Sequence, residues 1–341
     1  MKDKKHSNFI NGKWVDSKAY TTNSSPSDVQ DIIGLYVQGD AAQCEKAITA
    51  AKEAASAWSE SGLEQRKKTL DMIGAELIER SAEIGRILAI ERGKTIAEGM
   101  GGDFRSGQFF QYYAEETLRY MGEITDSVRL GVDLKVRLEP LCVIGIITPW
   151  NFPMAVAAWK LAPALAFGNT VGLKPAELVP ASARILVKII SRSGLPKGVF
   201  NLVMGSGREV GEAISTSKNI DAVTFTGSVP VDRHLASNAI KNMAKIQLEM
   251  GSKNALVVLN DADLNVAVQC AINGAFFGTG QKCTASSRLI VEKDAHDDFI
   301  EMMTVAMQKL KVGNLLAEAI QIGIVVDEKQ YKQVLEYIEI A

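Results

Sequence analysis

The feature that most constrains the fold is an alternation of short apolar segments with amphipathic segments, which begins near residue 141. Residues 141–147 form a continuous apolar run, typical of a strand buried on both faces. Further strands are predicted at 171–173, 199–203, 222–225, 246–248 and 255–259. Helices are predicted between most of them, near 154–166, 181–192, 208–216, 231–242 and 264–277. This alternation predicts an α/β fold with a parallel sheet, helices on both faces and a ligand at the carboxyl ends of the strands.

The first third of the chain has a different pattern. Asn11-Gly12 stands between short apolar runs, which is the strongest local signal for a two-residue β-hairpin. From Asp40 to about residue 120 the apolar residues recur at helical spacing. We therefore expect a small sheet followed by several helices. A further helix is predicted near the end of the sequence, at 328–340.

Composition excludes several classes of protein. The 341 residues exceed one ordinary domain, and 47% hydrophobic with 23% charged content is typical of a globular chain. Lysine and arginine number 38 against 40 acidic residues, so the net charge of −2 argues against a nucleic-acid partner. The N-terminus lacks a signal-peptide pattern and no apolar run approaches the ~18 residues of a membrane span. We expect a cytoplasmic protein without a membrane partner.

The four cysteines are widely spaced and include no CxxC pair, which predicts neither a disulfide framework nor a metal site. Cys283 lies in GTGQKCTASSR, between a predicted helix and a predicted strand. We expect an exposed thiol there, with Lys282 or a helix N-terminus favouring the reactive thiolate. The alternative is a small buried filler, an interpretation that suits Cys44, Cys142 and Cys270.

Two polar residues end or follow apolar strands. Glu249 closes one strand, where partial burial would raise its pKa and suit it to general-base catalysis. Asn151 lies between Pro149 and Pro153, and its amide is a candidate donor to an oxyanion. The alternatives are an exposed strand-terminal carboxylate and a proline-rich turn.

Three segments indicate a nucleotide. Gly205, Gly207 and Gly211 follow a strand, but their spacing is one residue longer than the usual dinucleotide fingerprint. Residues 225–228, FTGS, connect a strand to a helix whose backbone N–H groups suit a phosphate. Residues 174–177, KPAE, place a cation and a carboxylate where ribose hydroxyls could bind. Taken alone, each segment is better explained by a tight turn or a solvated ion pair.

In combination, these segments resemble the aldehyde dehydrogenase superfamily. The motifs occur in the family's order: PWNFP at 149–153, KPAE at 174–177, FTGS at 225–228, LEMG at 248–251 and GQKCT at 280–284. The resemblance covers essentially the whole chain. The residues within these motifs are most similar to those of dehydrogenases of α-ketoglutaric semialdehyde, also called 2,5-dioxopentanoate.

The resemblance implies a catalytic role for four residues. Cys283 would be the nucleophile that forms a thiohemiacetal with the aldehyde. Asn151 and the Cys283 backbone N–H would hold the oxyanion, and Glu249 would activate the water that hydrolyses the resulting thioester. Lys160 matches a family lysine that relays protons.

The resemblance also implies an NAD site and an aldehyde entrance. Lys174 and Glu177 would bind the adenosine ribose, and the Glu177 carboxylate would favour NAD over NADP by repelling a 2′-phosphate. Phe152 and Trp159 would line the entrance for the aldehyde. The implied cofactor-binding residues are Thr148, Pro149, Trp150, Lys174, Glu177, Gly207, Phe225, Thr226, Gly227, Ser228 and Gly251.

The implied organisation is a Rossmann-like NAD-binding domain at 1–122 and 140–249, an oligomerisation β-hairpin at 123–139 and an α/β catalytic domain from 250 to 341. Two features depart from the family. Asp232 stands where a glycine is usual, and is either close to a cofactor phosphate or a favourable residue of a first helical turn. The family's sequence also continues past the position of Ala341, so we expect a C-terminally truncated catalytic domain, and a homo-oligomer only when the missing part is supplied.

Three functions follow. The first is NAD-dependent oxidation of an aldehyde to the acid. The alternative is an inactive truncated fragment that retains only nucleotide binding. Transfer of the thioester to coenzyme A is a third possibility, against which Glu249 argues because that reaction needs no water-activating base.

Overall fold

The computed structural model describes residues 4–119, 122–314 and 319–340. Five strands open the chain: β1 Lys5–His6, β2 Asn8–Ile10, β3 Lys13–Val15, β4 Ala19–Ser25 and β5 Asp28–Gln38. Strands β2 and β3 are antiparallel and connected by Asn11 and Gly12, both with positive φ (50° and 74°). Positive φ at both positions is the requirement of a type I′ turn, and the predicted hairpin is confirmed. Strands β1, β5 and β4 form a separate three-stranded sheet.

The helical first third is also confirmed. Its helices are α1 Ala41–Ser59, α2 Leu63–Glu79, α3 Ser81–Arg92 and α4 Ile96–Arg119. Asp40 caps α1 by accepting a hydrogen bond from the Gln43 N–H at 2.8 Å. Helix α3 ends at Gly93, whose φ of 75° is the left-handed conformation that terminates many helices. This turn directs Arg92 and Lys94 towards the centre of the molecule, where both are buried.

The segment predicted as a hairpin forms one. Strands β6 Glu123–Asp126 and β7 Asp133–Val136 pair with each other in antiparallel register, and every residue of both is exposed. Among the described strands they form a sheet of their own. The predicted role of this hairpin in oligomerisation stays a prediction.

The centre of the molecule is a seven-stranded sheet. Five of its strands are mutually parallel: β8 Val143–Ile147, β9 Thr170–Lys174, β10 Phe200–Leu202, β11 Ala222–Gly227 and β12 Lys245–Met250. The strand order is β12-β11-β8-β9-β10-β2-β3, with the hairpin β2–β3 added antiparallel at one edge. The chain therefore runs outward from β8 in one direction and then in the other, which is the doubly wound arrangement that the sequence predicts.

Helices cover both faces of this sheet. They are α5 Pro153–Ala166, α6 Pro180–Ile190, a π-helical turn Gly207–Gly211 that leads into α7 Glu212–Thr216, and α8 Val229–Lys241. Neighbouring residues of β8 belong to different cores: Ile144 and Ile146 pack with α2 and α4–α6, whereas Val143 and Ile147 pack with α1, α7 and α8. A strand buried on both faces explains the continuous apolar run that begins the α/β pattern.

A smaller α/β unit follows. Its elements are β13 Asn254–Val258, α9 Leu264–Ala275, a 3₁₀ turn Phe277–Gly280, β14 Ser286–Val291, α10 Lys293–Gln308 and α11 Glu328–Ile340. Strands β13 and β14 are parallel, and a small core forms around Val258, Ile272 and Phe299. Helix α11 has the predicted bounds. Across the described ranges, no helix combines the length and apolar character that crossing a bilayer requires.

Candidate active site

Most of the predicted site residues lie at or just beyond the carboxyl ends of the parallel strands of the seven-stranded sheet. Ile147 is in register with Lys174 on one side and with Phe225 on the other, and Phe225 is in register with Leu248. The residues that follow these positions therefore leave the sheet together. They include Thr148, Pro149 and Trp150 after β8, Glu177 after β9, Ser228 after β11 and Gly251 after β12.

Asn151 lies between β8 and α5 and is half-buried. Its side-chain Oδ1 accepts a hydrogen bond from the Phe152 N–H at 3.0 Å, which fixes the orientation of the amide. Within the described ranges the amide nitrogen has no hydrogen-bond partner. Asn151 therefore presents an unused donor, as the oxyanion hypothesis requires.

Lys160 lies on α5, nine residues after Asn151, and its side chain is buried against the sheet. Its Nζ donates to Thr224 Oγ1 at 2.7 Å and to Gln247 Oε1 at 3.0 Å. Burial lowers the pKa of Lys160 to about 8, and the charge of Glu249 partly opposes that shift. A lysine with this pKa can hold or release a proton near neutral pH.

Gln247 connects Lys160 to Glu249. Its Nε2 donates to Glu249 Oε1 at 2.9 Å while its Oε1 accepts from Lys160. Gln247 is not among the predicted site residues. Its position two residues before Glu249 on the same strand places both side chains on one face of the sheet, which could have identified it. Glu249 itself is exposed, as the alternative of an exposed strand-terminal carboxylate predicts, so partial burial of this carboxylate is wrong. Strand β12 lies at the edge of the sheet, which leaves the side chain open to solvent.

Cys283 lies on the loop between the 3₁₀ turn and β14. Gly278, Thr279 and Gly280 all have positive φ, so the chain bends sharply just before it. The Asn254 amide donates to the Cys283 carbonyl at 2.8 Å and to the Ala285 carbonyl at 3.1 Å. Cys283 is half-buried, less open than the exposed thiol that the glycine-rich loop predicts. The Asn254 side chain of β13 thus holds the loop through two hydrogen bonds.

The other three cysteines differ in their burial. Cys44 is buried, as a filler should be, and burial raises the pKa of its thiol to about 12. Cys142 is half-buried with a φ of 95°. Cys270 is exposed on α9, so its interpretation as a buried filler is wrong.

Arg92 brings the Cys283 loop to the Asn151 segment. Its Nη2 donates to the Gln281 carbonyl at 3.2 Å, two residues before Cys283. Its guanidinium carbon lies 5.4 Å from the centre of the Trp150 ring and 5.8 Å from that of Phe152. Burial lowers the pKa of Arg92 to about 9. No local pattern predicts this residue, because its partners are distant in the sequence.

Two neighbours of Arg92 strengthen the same connection. Lys94 is buried with its Nζ 3.5 Å from the centre of the Phe152 ring, a cation–π contact. Glu98 accepts a hydrogen bond from the Gly278 N–H at 2.6 Å, and its other oxygen accepts from Thr95. The turn between α3 and α4 therefore contacts both sides of the candidate site.

The predicted nucleotide segments also meet. Glu177 Oε1 accepts a hydrogen bond from the Gly207 N–H at 2.9 Å, which joins the KPAE segment to the glycine-rich segment. Lys174 is buried, donates to the Pro175 carbonyl at 3.0 Å, and has its pKa lowered by that burial. The five-residue π-helical turn that starts at Gly207 accommodates the extra residue of the long glycine spacing.

The strand-to-helix turn after β11 suits a phosphate-bearing ligand. A Cβ on Gly227 would approach the Phe225 ring to 2.4 Å, whereas one on Gly207 or Gly251 would meet nothing within 4 Å. The hydroxyl of Thr226 is buried and has no hydrogen-bond partner in the described ranges. Ser228 is exposed and immediately precedes α8. This turn offers a spare hydroxyl and a helix N-terminus, and open glycine positions lie in the segments at Gly207 and Gly251, which fits a dinucleotide.

Asp232 lies in the first turn of α8, as one of the two interpretations predicts. It is buried, and that burial raises the pKa of its carboxyl. One of its oxygens has no partner in the described part of the chain. The other interpretation, that Asp232 lies close to a cofactor phosphate and would repel it, stays a prediction.

The two residues predicted at the aldehyde entrance are half-buried. Phe152 contacts Arg92 and Lys94, and Trp159 packs edge-to-face on Phe109 with 5.9 Å between ring centres. Phe152 immediately precedes α5 and Trp159 lies within it, so both stand between Asn151 and Lys160 in the sequence. Among the residues that the structure describes, no group of three or more histidine, cysteine or carboxylate side chains is arranged to hold a metal ion.

Comparison with known proteins agrees with this geometry. A profile of the aldehyde dehydrogenase family matches residues 14–341. α-Ketoglutaric semialdehyde dehydrogenase of Bacillus subtilis is 39% identical over 334 residues, which cover 97% of this chain and 68% of that protein. 2,5-Dioxopentanoate dehydrogenase of Saccharolobus solfataricus is 38% identical over 334 residues, covering 96% of this chain and 69% of that protein.

Solved structures give the same result. An NADP-dependent enzyme of E. coli has a TM-score of 0.96 at 34% identity, with 98% of this chain and 70% of that chain covered. Betaine aldehyde dehydrogenase of Staphylococcus aureus in complex with NAD⁺ has a TM-score of 0.96 at 33% identity, with 98% and 67% covered. The chain therefore belongs to the aldehyde dehydrogenase family, a family of enzymes.

Proposed function

We propose that this protein oxidises an aldehyde to the carboxylic acid through a covalent intermediate on Cys283, with NAD as cofactor. The observation that carries the proposal is the contact made by Arg92. It joins the Gln281 carbonyl to the Trp150 and Phe152 rings, so the loop of the candidate nucleophile lies beside Asn151 and its unused amide donor. A nucleophile beside a preorganised donor is the arrangement that acyl-transfer chemistry requires.

The first steps use Cys283 and Asn151. The Cys283 thiolate attacks the aldehyde carbon and forms a carbon–sulfur bond, and the carbonyl oxygen becomes an oxyanion. The Asn151 amide and the Cys283 backbone N–H donate to that oxyanion, and one such donor is worth about 3–4 kcal/mol in comparable sites. A bound oxidised nicotinamide would supply the acceptor for the hydride of the former aldehyde carbon, which would leave Cys283 acylated as a thioester.

The last step uses Glu249. Its carboxylate removes a proton from a water molecule, the resulting hydroxide attacks the thioester carbon, and the carbon–sulfur bond breaks to release the acid and the Cys283 thiolate. Gln247 connects Glu249 to Lys160 through hydrogen bonds of 2.9 and 3.0 Å. The low pKa of Lys160 suits it to accept and pass on the proton that Glu249 collects.

NAD is the cofactor, bound along the carboxyl ends of the parallel strands. The residues that would hold it are Thr148, Pro149, Trp150, Lys174, Glu177, Gly207, Phe225, Thr226, Gly227, Ser228 and Gly251. The structural relatives were solved with NAD⁺ or are NADP-dependent, so both forms occur among them. The Glu177 carboxylate disfavours the 2′-phosphate of NADP by like charge.

The proposed substrate is α-ketoglutaric semialdehyde, the aldehyde named for the Bacillus subtilis relative. The proposed entrance lies between Phe152 and Trp159. We further propose an NAD-binding domain at 1–122 and 140–249, a catalytic domain that starts at 250, and subunit association through the exposed hairpin at 123–139.

The test is the appearance of reduced cofactor when the purified chain meets NAD and short aldehydes, including α-ketoglutaric semialdehyde. Cys283→Ser should abolish turnover. Cys270→Ser is the matched control, because Cys270 is an exposed cysteine of α9 with no predicted role in the site, and this substitution should leave turnover unchanged. Glu249→Gln should accumulate an acyl group on Cys283, which mass spectrometry of the intact protein detects.

The alternative function predicts a different result. A folded chain that binds NAD but reduces none with any aldehyde, and whose Cys283 takes up no acyl group, would favour a nucleotide-binding protein without catalysis. Unchanged turnover in Glu249→Gln would contradict the assignment of the base while leaving Cys283 as nucleophile.

A further inference from the structure

A basic cavity lies between the N-terminal hairpin and helix α6. Its volume is about 310 Å³, and it is lined by Lys5, Ser7, Trp14, Arg184, Lys188, Ser191 and Arg192. Ligand pockets for small molecules start near this size. Four of the seven lining side chains are cations and none is an acid, so the cavity is suited to an anion.

Two of these cations have no compensating partner. Within the described ranges, neither Arg184 nor Lys188 forms an ion pair with a carboxylate. Two acids of the adjacent helices are already engaged, since Glu76 pairs with Arg80 and Arg192 and Glu83 pairs with Arg80. A group of like charges in one cavity is unfavourable unless an anion occupies it.

The surroundings of the two cations increase that effect. The Nε of Arg184 is buried without a hydrogen-bond partner in the described residues. Burial and then the charges of Arg184, Lys4 and other nearby cations lower the pKa of Lys188. Arg184 and Lys188 are one helical turn apart on α6, so one ligand can reach both.

Trp14 adds a platform to the cavity. Its indole is 43% exposed, and the Arg184 guanidinium lies 5.5 Å from its ring centre. An exposed indole beside cations can pack on the ring or sugar of a ligand while the cations hold its charged end.

The cavity is remote from the candidate active site. Trp14 lies on β3 and Glu249 on β12, the two opposite edge strands of the seven-stranded sheet. Six strand spacings of about 4.8 Å separate them, which is roughly 29 Å. None of the residues assigned to catalysis or to NAD lines the cavity.

We propose that this cavity binds a phosphorylated small molecule, with the phosphate between Arg184 and Lys188. A phosphate carries close to two negative charges at neutral pH and several acceptor oxygens, so it can satisfy both cations at once, whereas a single carboxylate neutralises one. The arginine fork suits phosphate geometry and the lysine adds a point charge.

The test is the affinity of the full chain for inorganic pyrophosphate, measured by isothermal titration calorimetry. We expect saturable binding, weakened at least tenfold by Arg184→Gln combined with Lys188→Gln. Lys46→Gln combined with Lys68→Gln is the matched control, since it removes the same charge from exposed lysines of α1 and α2, and it should change the affinity less than twofold. Lys5→Gln, at an exposed position, should weaken binding without disturbing the fold.

Pyrophosphate also fits a dinucleotide site, where the phosphate is expected at residues 225–228, so Ser228→Glu, which adds a negative charge at an exposed position there, decides where pyrophosphate binds. Loss of binding in Ser228→Glu, with full binding in the Arg184→Gln and Lys188→Gln double variant, would overturn the proposal. Equal loss in the control pair would also overturn it, because binding would then follow net charge. Tight binding of an oligonucleotide without saturable binding of pyrophosphate would indicate a nucleic-acid surface instead.

Discussion

The seven-stranded sheet and the smaller unit that carries Cys283 are built in different ways. Every residue of β8 and β9 is buried, and the sheet has a continuous core on each face. In β14, which follows Cys283, no residue is fully buried. Apolar burial of about 25 cal/mol per Å² therefore stabilises the first region far more than the second.

The difference suggests that stability and positioning of the nucleophile have separate origins. The cofactor side of the site is fixed by the sheet core. The Cys283 loop is held by a few polar contacts that reach it from α3 and α4, chiefly Arg92 to Gln281 and Glu98 to Gly278. Changes in the core should alter the stability of the chain, and changes in these contacts should alter the chemistry.

The largest expected effect belongs to the core side. Asp103 on α4 is fully buried, and neither of its carboxylate oxygens has a partner among the described residues. Burial raises its pKa from 3.8 to about 7. The folded state therefore keeps a proton that the unfolded state releases, so the free energy of unfolding falls as pH rises from about 4 to about 7.

Asp103→Asn should remove this dependence. The shift corresponds to about 4 kcal/mol, so the variant should be more stable than the parent by most of that amount at about pH 8, and close to it at about pH 4. Urea unfolding at both pH values measures the difference. The control is Glu79→Gln on α2, an exposed acid, which should shift neither. Equal stabilisation at both pH values would contradict the titration of Asp103.

The second prediction tests the polar contacts of the nucleophile loop. Arg92→Met removes the hydrogen bond to Gln281 while retaining an apolar side chain in the buried space. Amide hydrogen exchange should increase at residues 277–285 and stay unchanged in β8 and β9. Aldehyde turnover should fall about 100-fold, because misplacement of reacting groups by about 1 Å has that effect.

Arg86→Met on the same helix is the matched control, because Arg86 is exposed and touches neither ring. The comparison between the two regions would be wrong if Arg92→Met increased exchange throughout the seven-stranded sheet. Arg92 would then be a core residue of the whole molecule.

The third prediction concerns the bridge between Lys160 and Glu249. Gln247→Leu removes one hydrogen bond of each, although Lys160 keeps its bond to Thr224. Hydrolysis of the acyl intermediate should slow about tenfold, corresponding to about 1.4 kcal/mol, with acylation of Cys283 unchanged. Rapid mixing followed by mass spectrometry separates the two steps. Gln269→Leu on the exposed face of α9 provides the control.

The sequence predicts what local patterns encode. The parallel strands, the Asn11-Gly12 hairpin and helix α11 follow from apolar periodicity and turn chemistry, and the structure has them. Strands β4 and β5 went unpredicted, because their alternation of polar and apolar residues is weak and much of their length is exposed.

The site shows the same limit. Local sequence patterns identify the strand ends and the glycine-rich loop that carry Asn151, Glu249 and Cys283. Arg92 acts on a carbonyl 189 positions away, and no local spacing encodes such a contact. Exposure is equally non-local: Glu249 and Cys270 are open to solvent because of what packs beside them in three dimensions.

The smallest expected effect concerns the choice of cofactor on the sheet side. Glu177 accepts from the Gly207 N–H, and in the proposed NAD site its carboxylate would repel a 2′-phosphate of NADP. Glu177→Ser removes the charge and keeps a hydroxyl for the ribose. The ratio of kcat/KM for NADP to that for NAD should rise about fivefold, less than one fully unscreened charge pair would give, because the carboxylate is exposed to solvent. Glu209→Ser, an exposed acid on the adjacent turn, should leave the ratio unchanged. A rise of equal size in both variants would mean that net charge near the turn, rather than the position of Glu177, sets the preference.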